Sequence, residues 1–194
     1  RIADADGMTR KGTDIDPQGP FQTSADRLYF QQLQADSSDR LVVSEPMMGR
    51  LSRQWVIILA RPIVMPDHHF AGIAYAVLPL SHFSDLFSQL HLRANDAVAL
   101  RARDLSVIAR YPTVVSGAAA IGNKAVSAEL KNMVAVYPER GTYQARAGID
   151  GIARILSYAQ IAPLSWYVVV GVDHGAFLAD WYGQVTKVVA VVVA

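Results

Sequence analysis

The sequence predicts an α+β fold made of two similar modules in series. Three observations lead there. The order strand, strand, helix, three strands, exit helix recurs in the two halves as a loose internal repeat. The clearest strands come in pairs separated by short turns, which favours antiparallel hairpins. The helical segments carry their apolar residues at helical spacing, so each can cover a sheet from one side. On this reading residues 1–90 form a first module, 91–175 a second, and 176–194 an exit helix.

The first module opens with Ile2-Ala3-Asp4, which runs into an Asp6-Gly7 turn. A polar stretch through Asp16-Pro17 and Gly19-Pro20 follows. Ser24 is the expected N-cap of a helix carrying Arg27, Tyr29, Phe30 and Leu33. Leu41-Val42-Val43 comes next, then the turn-rich 46–49 segment. The strongest strand spans 54–63, with Trp55, Ile57, Leu59 and Arg61 on one face and Val56, Ile58 and Ala60 on the other. Both faces are apolar, so alternation leaves open which one points inward. Residues 65–69 can close a hairpin onto a second strand over 71–78. Ser81 can then cap a helix with Phe83, Leu86, Phe87 and Leu90.

The second module repeats the order. Strands over 98–100 and 106–109 flank a turn at Arg103-Asp104-Leu105. Asn123 is the expected cap of a helix holding Val126, Leu130, Met133 and Val134. Strands over 142–147 and 152–159 meet at Asp150-Gly151, where glycine takes positive φ without strain. A last strand over 166–172 leads into a helix with Phe177, Leu178, Trp181 and Val185.

Composition narrows the function classes. Hydrophobic residues make up 52% and charged ones 18% of 194 residues, so the chain is globular. The net charge of +1 comes from scattered Lys and Arg, which argues against a nucleic-acid surface. Arg101, Arg103 and Arg110 lie among apolar residues and read as the solvent face of strands. Cysteine is absent, which excludes disulfides, thiolate metal sites and cysteine nucleophiles.

Near misses to catalytic and metal motifs fail on chemistry. Residues 117–124 resemble a phosphate loop, but Asn123 stands at the place of the lysine. Aligning Gly7 with a calcium-loop glycine puts Ile2 and Thr13 at ligand positions. Adjacent His68 and His69 would face opposite ways on a strand. Ser116-Gly117 lacks the preceding glycine of a nucleophile elbow. No catalytic residue, metal site or cofactor is therefore expected, and a hydrolase reading lacks a nucleophile–base pair.

The chain closes on seven Val and Ala residues, 188–194, straight after Lys187. One reading is a terminal strand or buried helix end. The other, which we favour, is the beginning of a transmembrane helix with Lys187 at the interface.

One segment is suited to binding. In Asp26-Arg27-Leu28-Tyr29-Phe30 an arginine with two close aromatics fits a small carboxylate, the guanidinium forking onto two oxygens while rings enclose the rest. The plainer reading pairs Arg27 with a surface acid and gives Tyr29 and Phe30 to the core.

Four blocks in this order and spacing, residues 26–30, 43–50, 55–63 and 70–74, resemble double Cache sensor domains, whose modules are PAS-like. The second half adds Asp150-Gly151, Arg154 to Tyr158, Pro163-Leu164 and Val168 to Gly171, so the resemblance spans nearly the whole chain. Leu59-Ala60-Arg61-Pro62-Ile63 looks most like Cache domains attached to bacterial diguanylate cyclases (GGDEF proteins), with histidine kinases and chemoreceptors as alternatives. The resemblance implies a non-enzymatic, periplasmic sensor held in the inner membrane by flanking helices and dimeric in the full receptor. It also implies a membrane-distal first module that holds the ligand.

In family members that bind amino acids, an arginine and a tryptophan take the carboxylate and a strand aspartate takes the ammonium. Arg27 matches the arginine, but Tyr29 stands at the tryptophan, Met47 at a tyrosine and Val77 at the aspartate. A simple organic acid is therefore the expected ligand. It would lie near Arg27, Tyr29 and Phe30 and face Trp55, Ile57, Leu59, Arg61 and Tyr75, with Met47 and Val77 completing the set. The alternative is a ligand-free dimerisation scaffold.

Overall fold

The computed structural model describes residues 1–16, 22–113, 120–162 and 164–176. The chain divides into two compact units, Arg1–His82 and Phe83–Ala194. The division falls inside a helix, whereas the sequence placed the junction after residue 90. Phe83 accounts for the difference: its ring meets Trp166 of the second unit edge-on at 6.2 Å between centroids.

In the first unit β1 (Ile2–Asp4) and β2 (Thr9–Lys11) form a hairpin, followed by α1 (Leu28–Ala35), β3 (Val42–Val43) and β4 (Met47–Met48). The long strands β5 (Trp55–Val64) and β6 (Phe70–Pro79) follow, then α2 (Ser81–Ser88). The sheet order is β2-β1-β6-β5-β3, with β4 also paired to β5. All of these pairings are antiparallel. The β1–β2 turn is held by Asp4, whose carboxylate accepts from the Met8 amide (2.8 Å) and pairs with Arg10 (2.7 Å). Gly7 adopts φ +80° there, and a Cβ would strike the Ala25 backbone at 2.6 Å.

Helix α1 lays Tyr29, Phe30 and Leu33 on the sheet face formed by Val56, Ile58, Ala60, Ile73 and Tyr75. Full burial of a side chain such as Phe30 or Leu33 is worth about 1.5–3 kcal/mol. This settles the open face of the 54–63 strand. Trp55, Ile57, Leu59 and Arg61 project to the side opposite α1, because Val56, Ile58 and Ala60 pack with the helix and successive side chains alternate. Trp55 is 42% exposed, and Arg61 reaches Asp39 at 2.6 Å. Helix α1 is not capped by Ser24. Its N-cap is Arg27, with no side-chain cap, and Ser24 instead accepts the Arg27 amide on its carbonyl (2.9 Å) in the preceding turn. Leu90 lies past the end of α2 and is 47% exposed.

The second unit comprises β7 (Ala97–Arg101), β8 (Val107–Tyr111), α3 (Ala128–Val136), β9 (Arg140–Arg146), β10 (Ala153–Ile161) and β11 (Trp166–Asp173). Its order, β8-β7-β11-β10-β9, retraces the path of the first sheet: second strand, first strand, last, last but one, then the strand after the helix. Helix α3 is capped by Ser127, whose Oγ accepts from the Leu130 amide at 3.2 Å. The expected cap, Asn123, sits four residues earlier and accepts from the Ala125 amide at 2.6 Å.

Two arginines expected at the surface are inside. Arg101 is 5% and Arg110 8% exposed, while Arg103, in the turn, is exposed as expected. Arg110 and Arg154 share the carboxylate of Asp150 at 2.5 and 2.7 Å. Burial alone would raise the Asp150 pKa, but the Arg154 hydrogen bond, the Ile152 amide and both guanidiniums outweigh it and hold it below the ordinary carboxylate value. This buried triad could not be read in sequence because Asp150 and Arg110 lie 40 residues apart.

The readings at 17–20, residues 117–119 of the phosphate-loop-like segment, Ser116, Pro163, and the helix and apolar run of 177–194 lie outside the described residues. Among the described residues no helix is long and apolar enough to cross a membrane.

Candidate functional site

Where α1 approaches the first sheet, the packing leaves a cavity of about 50 Å³. One water needs ~10–15 Å³ of such space, so a few solvent molecules or one small ligand fit. Arg27 and Tyr29 line it at the entry and first turn of α1, Met47 from β4, and Tyr75 and Val77 from β6. Five of the ten residues singled out in the sequence therefore meet at one cavity. Phe30 is not among them. It is 1% exposed and stacks edge-on against Phe70 at 5.6 Å, as core. Trp55, Ile57, Leu59 and Arg61 are on the other face of β5 and do not reach it.

Sequence reasoning missed Thr9, Gln22, Ser24, Arg50, Val56 and Ile58, which also line the cavity. Val56 and Ile58 were in view as the alternate face of the strand, undecidable while both faces are apolar. Thr9 and Arg50 had no sequence signal, because their partners are distant in the chain. The Thr9 hydroxyl meets the Tyr75 hydroxyl at 2.9 Å, 66 residues apart and buried. Arg50 grips Asp26 through both carboxylate oxygens, 24 residues apart. The hydrogen bond from Arg50 holds the Asp26 carboxyl below its ordinary pKa, so this pair is charged at neutral pH.

The wall thus divides by chemistry. Val56, Ile58, Val77 and Met47 offer apolar surface. Tyr29 donates to Ser24 Oγ at 3.2 Å, and its ring lies 6.4 Å from that of Tyr75. Burial, partly offset by the Ser24 bond, pushes the Tyr29 phenol above its ordinary pKa, so it stays a neutral donor. Asp26 is taken by Arg50, and among the described residues the Arg27 side chain donates to no protein acceptor. No carboxylate is found among the described lining residues. A fork of unused guanidinium donors at such a cavity can hold a small anion, and the described lining offers a buried ammonium no counter-charge.

No protein-family model and no curated protein sequence matches the chain. Solved structures do. The extracellular domain of rpHK1S-Z16, a protein described as a histidine kinase, superimposes with a TM-score of 0.77 at 23% identity, over 93% of this chain and 72% of that one. The ligand-binding domain of the Pseudomonas aeruginosa amino-acid chemoreceptor PctB, solved with L-Gln, gives 0.63 at 18% identity, over 98% and 74%. The ligand-binding domain of Mlp24 with asparagine gives 0.57 at 19% identity, over 92% and 69%. The chain has the fold that these extracellular domains share, two tandem PAS-like modules of the Cache type.

Proposed function

We propose that this chain is the periplasmic sensor of a bacterial receptor anchored in the inner membrane, and that its first module binds a small organic acid at Arg27. The observation that carries this reading is the Arg27 guanidinium, beside a mostly polar cavity with an apolar side of Met47, Val56, Ile58 and Val77 and no acidic residue among its described lining. The P. aeruginosa and Mlp24 domains were solved with amino acids. Here Val77 stands where the resemblance places the aspartate for the ammonium, so a carboxylate without an α-amino group fits better.

The ligand acts by favouring one of two arrangements of the receptor, and only to the extent that its affinity for them differs. The signal passes through flanking helices, in a homodimer, to a cytoplasmic output domain. The resemblance of residues 59–63 favours a diguanylate cyclase there. The likeness to the rpHK1S-Z16 domain favours a histidine kinase as the second reading. The coding sequence beyond residue 194 decides between them.

Thermal denaturation across a panel of mono- and dicarboxylates tests the binding claim. At least one acid should raise the melting temperature of the wild-type chain in a saturable way. Arg27→Ala should weaken that acid roughly ten- to a hundredfold, the loss of charge-assisted hydrogen bonds worth about 1.5–3 kcal/mol. If no acid stabilises the protein, or Arg27→Ala responds like wild type, the ligand-free scaffold is the correct reading.

A further inference from the structure

The second unit contains a cavity of its own, also about 50 Å³, lined entirely by that unit. Ala97, Ala99 and Arg101 reach it as alternate residues of β7, and Arg110, Arg154 and Tyr143 come from β8, β10 and β9. Leu130, Leu156 and Val169 form an apolar wall. Three arginines border this space, and no acidic residue is among its described lining. Asp150 pairs with both Arg110 and Arg154, and Asp173 also acts electrostatically on Arg154, so this pair has carboxylate partners.

Arg101 is different. Its two terminal nitrogens donate to the carbonyls of Leu105 (2.6 Å) and Ala125 (3.1 Å), and among the described residues no carboxylate pairs with it. Burial, opposed by Tyr143 and reinforced by Arg110, pulls its pKa down to about 10. It is still a cation at neutral pH. Two carbonyl bonds occupy two of the five guanidinium donors and cancel no charge. A buried cation without a counter-charge is costly, and proteins keep such groups where something else supplies the charge. Tyr143 lines the same cavity and its hydroxyl is hydrogen-bonded to Ser127; burial pushes its pKa up to about 12. It therefore remains a neutral phenol.

We infer that the second module holds an independent site for a short monocarboxylate, with its charged end on Arg101 and Tyr143 and its alkyl end against Leu130, Leu156 and Val169. The apolar wall selects a carboxylate over a spherical or tetrahedral inorganic anion, which would leave that wall wet. The site is separate from the Arg27 cavity and does not depend on it.

The test titrates acetate, propionate and pyruvate into the whole chain, with phosphate and sulfate as parallel arms. Melting temperature and the Arg101 side-chain Nε resonance are followed. The Arg27→Ala protein serves as background, so that binding in the first module does not contribute. A short carboxylate should stabilise that protein and shift the Arg101 resonance saturably. Arg101→Gln should abolish the effect, and Tyr143→Phe should weaken it about tenfold, the worth of one hydrogen bond to a charged group. Arg101→Gln without ligand should melt no lower than its parent, because it removes an uncompensated charge. A purely structural arginine would give the opposite. Should Arg101→Gln fail to fold, the structural role is established and the inference falls. It also falls if no carboxylate shifts the Arg101 resonance, if the effect survives Arg101→Gln, or if only phosphate or sulfate binds.

Discussion

Asp150→Asn should cost far more stability than its chemistry suggests, and the structure says why. Asp150 accepts from Arg154 at 2.7 and 2.8 Å and from Arg110 at 2.5 Å. The side chains of Arg154, Arg110 and Asp150 are only 2, 6 and 11% exposed. The asparagine keeps the shape but removes the one negative charge between two buried guanidiniums and turns an N–H donor toward them. Removing one partner of a buried ion pair costs about 3–5 kcal/mol, because the other charge is left uncompensated. That is a large share of the ~5–15 kcal/mol that holds a small domain together. At ~4–8 °C per kcal/mol for a unit of this size, the melting point of the second module should drop by ten degrees or considerably more.

Asp26→Asn is the matched control. It breaks a similar two-pronged Asp–Arg pair, with Arg50, but there the side chains are 57 and 38% exposed. Surface pairs contribute about 0–1 kcal/mol. Urea unfolding followed by circular dichroism and tryptophan fluorescence measures both variants. A loss under about 1 kcal/mol for Asp150→Asn, or equal losses for the two, would show that burial does not set the strength of these pairs and would refute the reasoning.

Other predictions follow from the same structure. Ser127→Ala should destabilise α3 by about 1 kcal/mol through the lost cap, and chemical denaturation giving no loss would place the helix start elsewhere. Tyr75→Phe leaves the Thr9 hydroxyl, 1% exposed, without its 2.9 Å partner and should cost about 1–3 kcal/mol; adding Thr9→Val should recover much of it, and a double variant as unstable as the sum of the singles would contradict this. In acid, burial would raise the Asp104 pKa, but bonds from Lys124 and Ser106 overcome this and bring it down to about 2 from 3.8. A lowered folded pKa gives stability that is complete above the unfolded value and lost as pH falls through the folded one. Asp150 acts in the same direction. Unfolding free energy should therefore decline from about pH 4 downward, and Asp104→Asn should flatten part of that slope; an unchanged pH profile would argue against the Lys124 contact.

Most of the fold was legible in the sequence because it rests on local signals. The 55–64 and 70–79 hairpin, the helix carrying Tyr29, Phe30 and Leu33, and the repeat of the same order in the second half all follow from periodicity and turn chemistry. The short strands β2 and β4 were read as polar or turn-rich chain, since three or two residues leave no alternation to see. Four of the ten expected pocket residues were displaced by one decision, the inward face of β5, which α1 packing makes and local sequence does not. The buried arginines of the second unit were invisible for another reason. An arginine among apolar residues is ordinarily the exposed one, and Asp150 joins Arg110 only after the chain has folded back across three further strands.

The account rests most on Arg27 being a ligand-binding cation. Its guanidinium resonances, followed by NMR while the best-stabilising acid of the panel is added, test this directly. The account predicts a saturable shift of the Arg27 Nε–H, together with the amides of Tyr29 and Tyr75, at the concentration that raises the melting temperature. A stabilising acid that leaves Arg27 unmoved would contradict it.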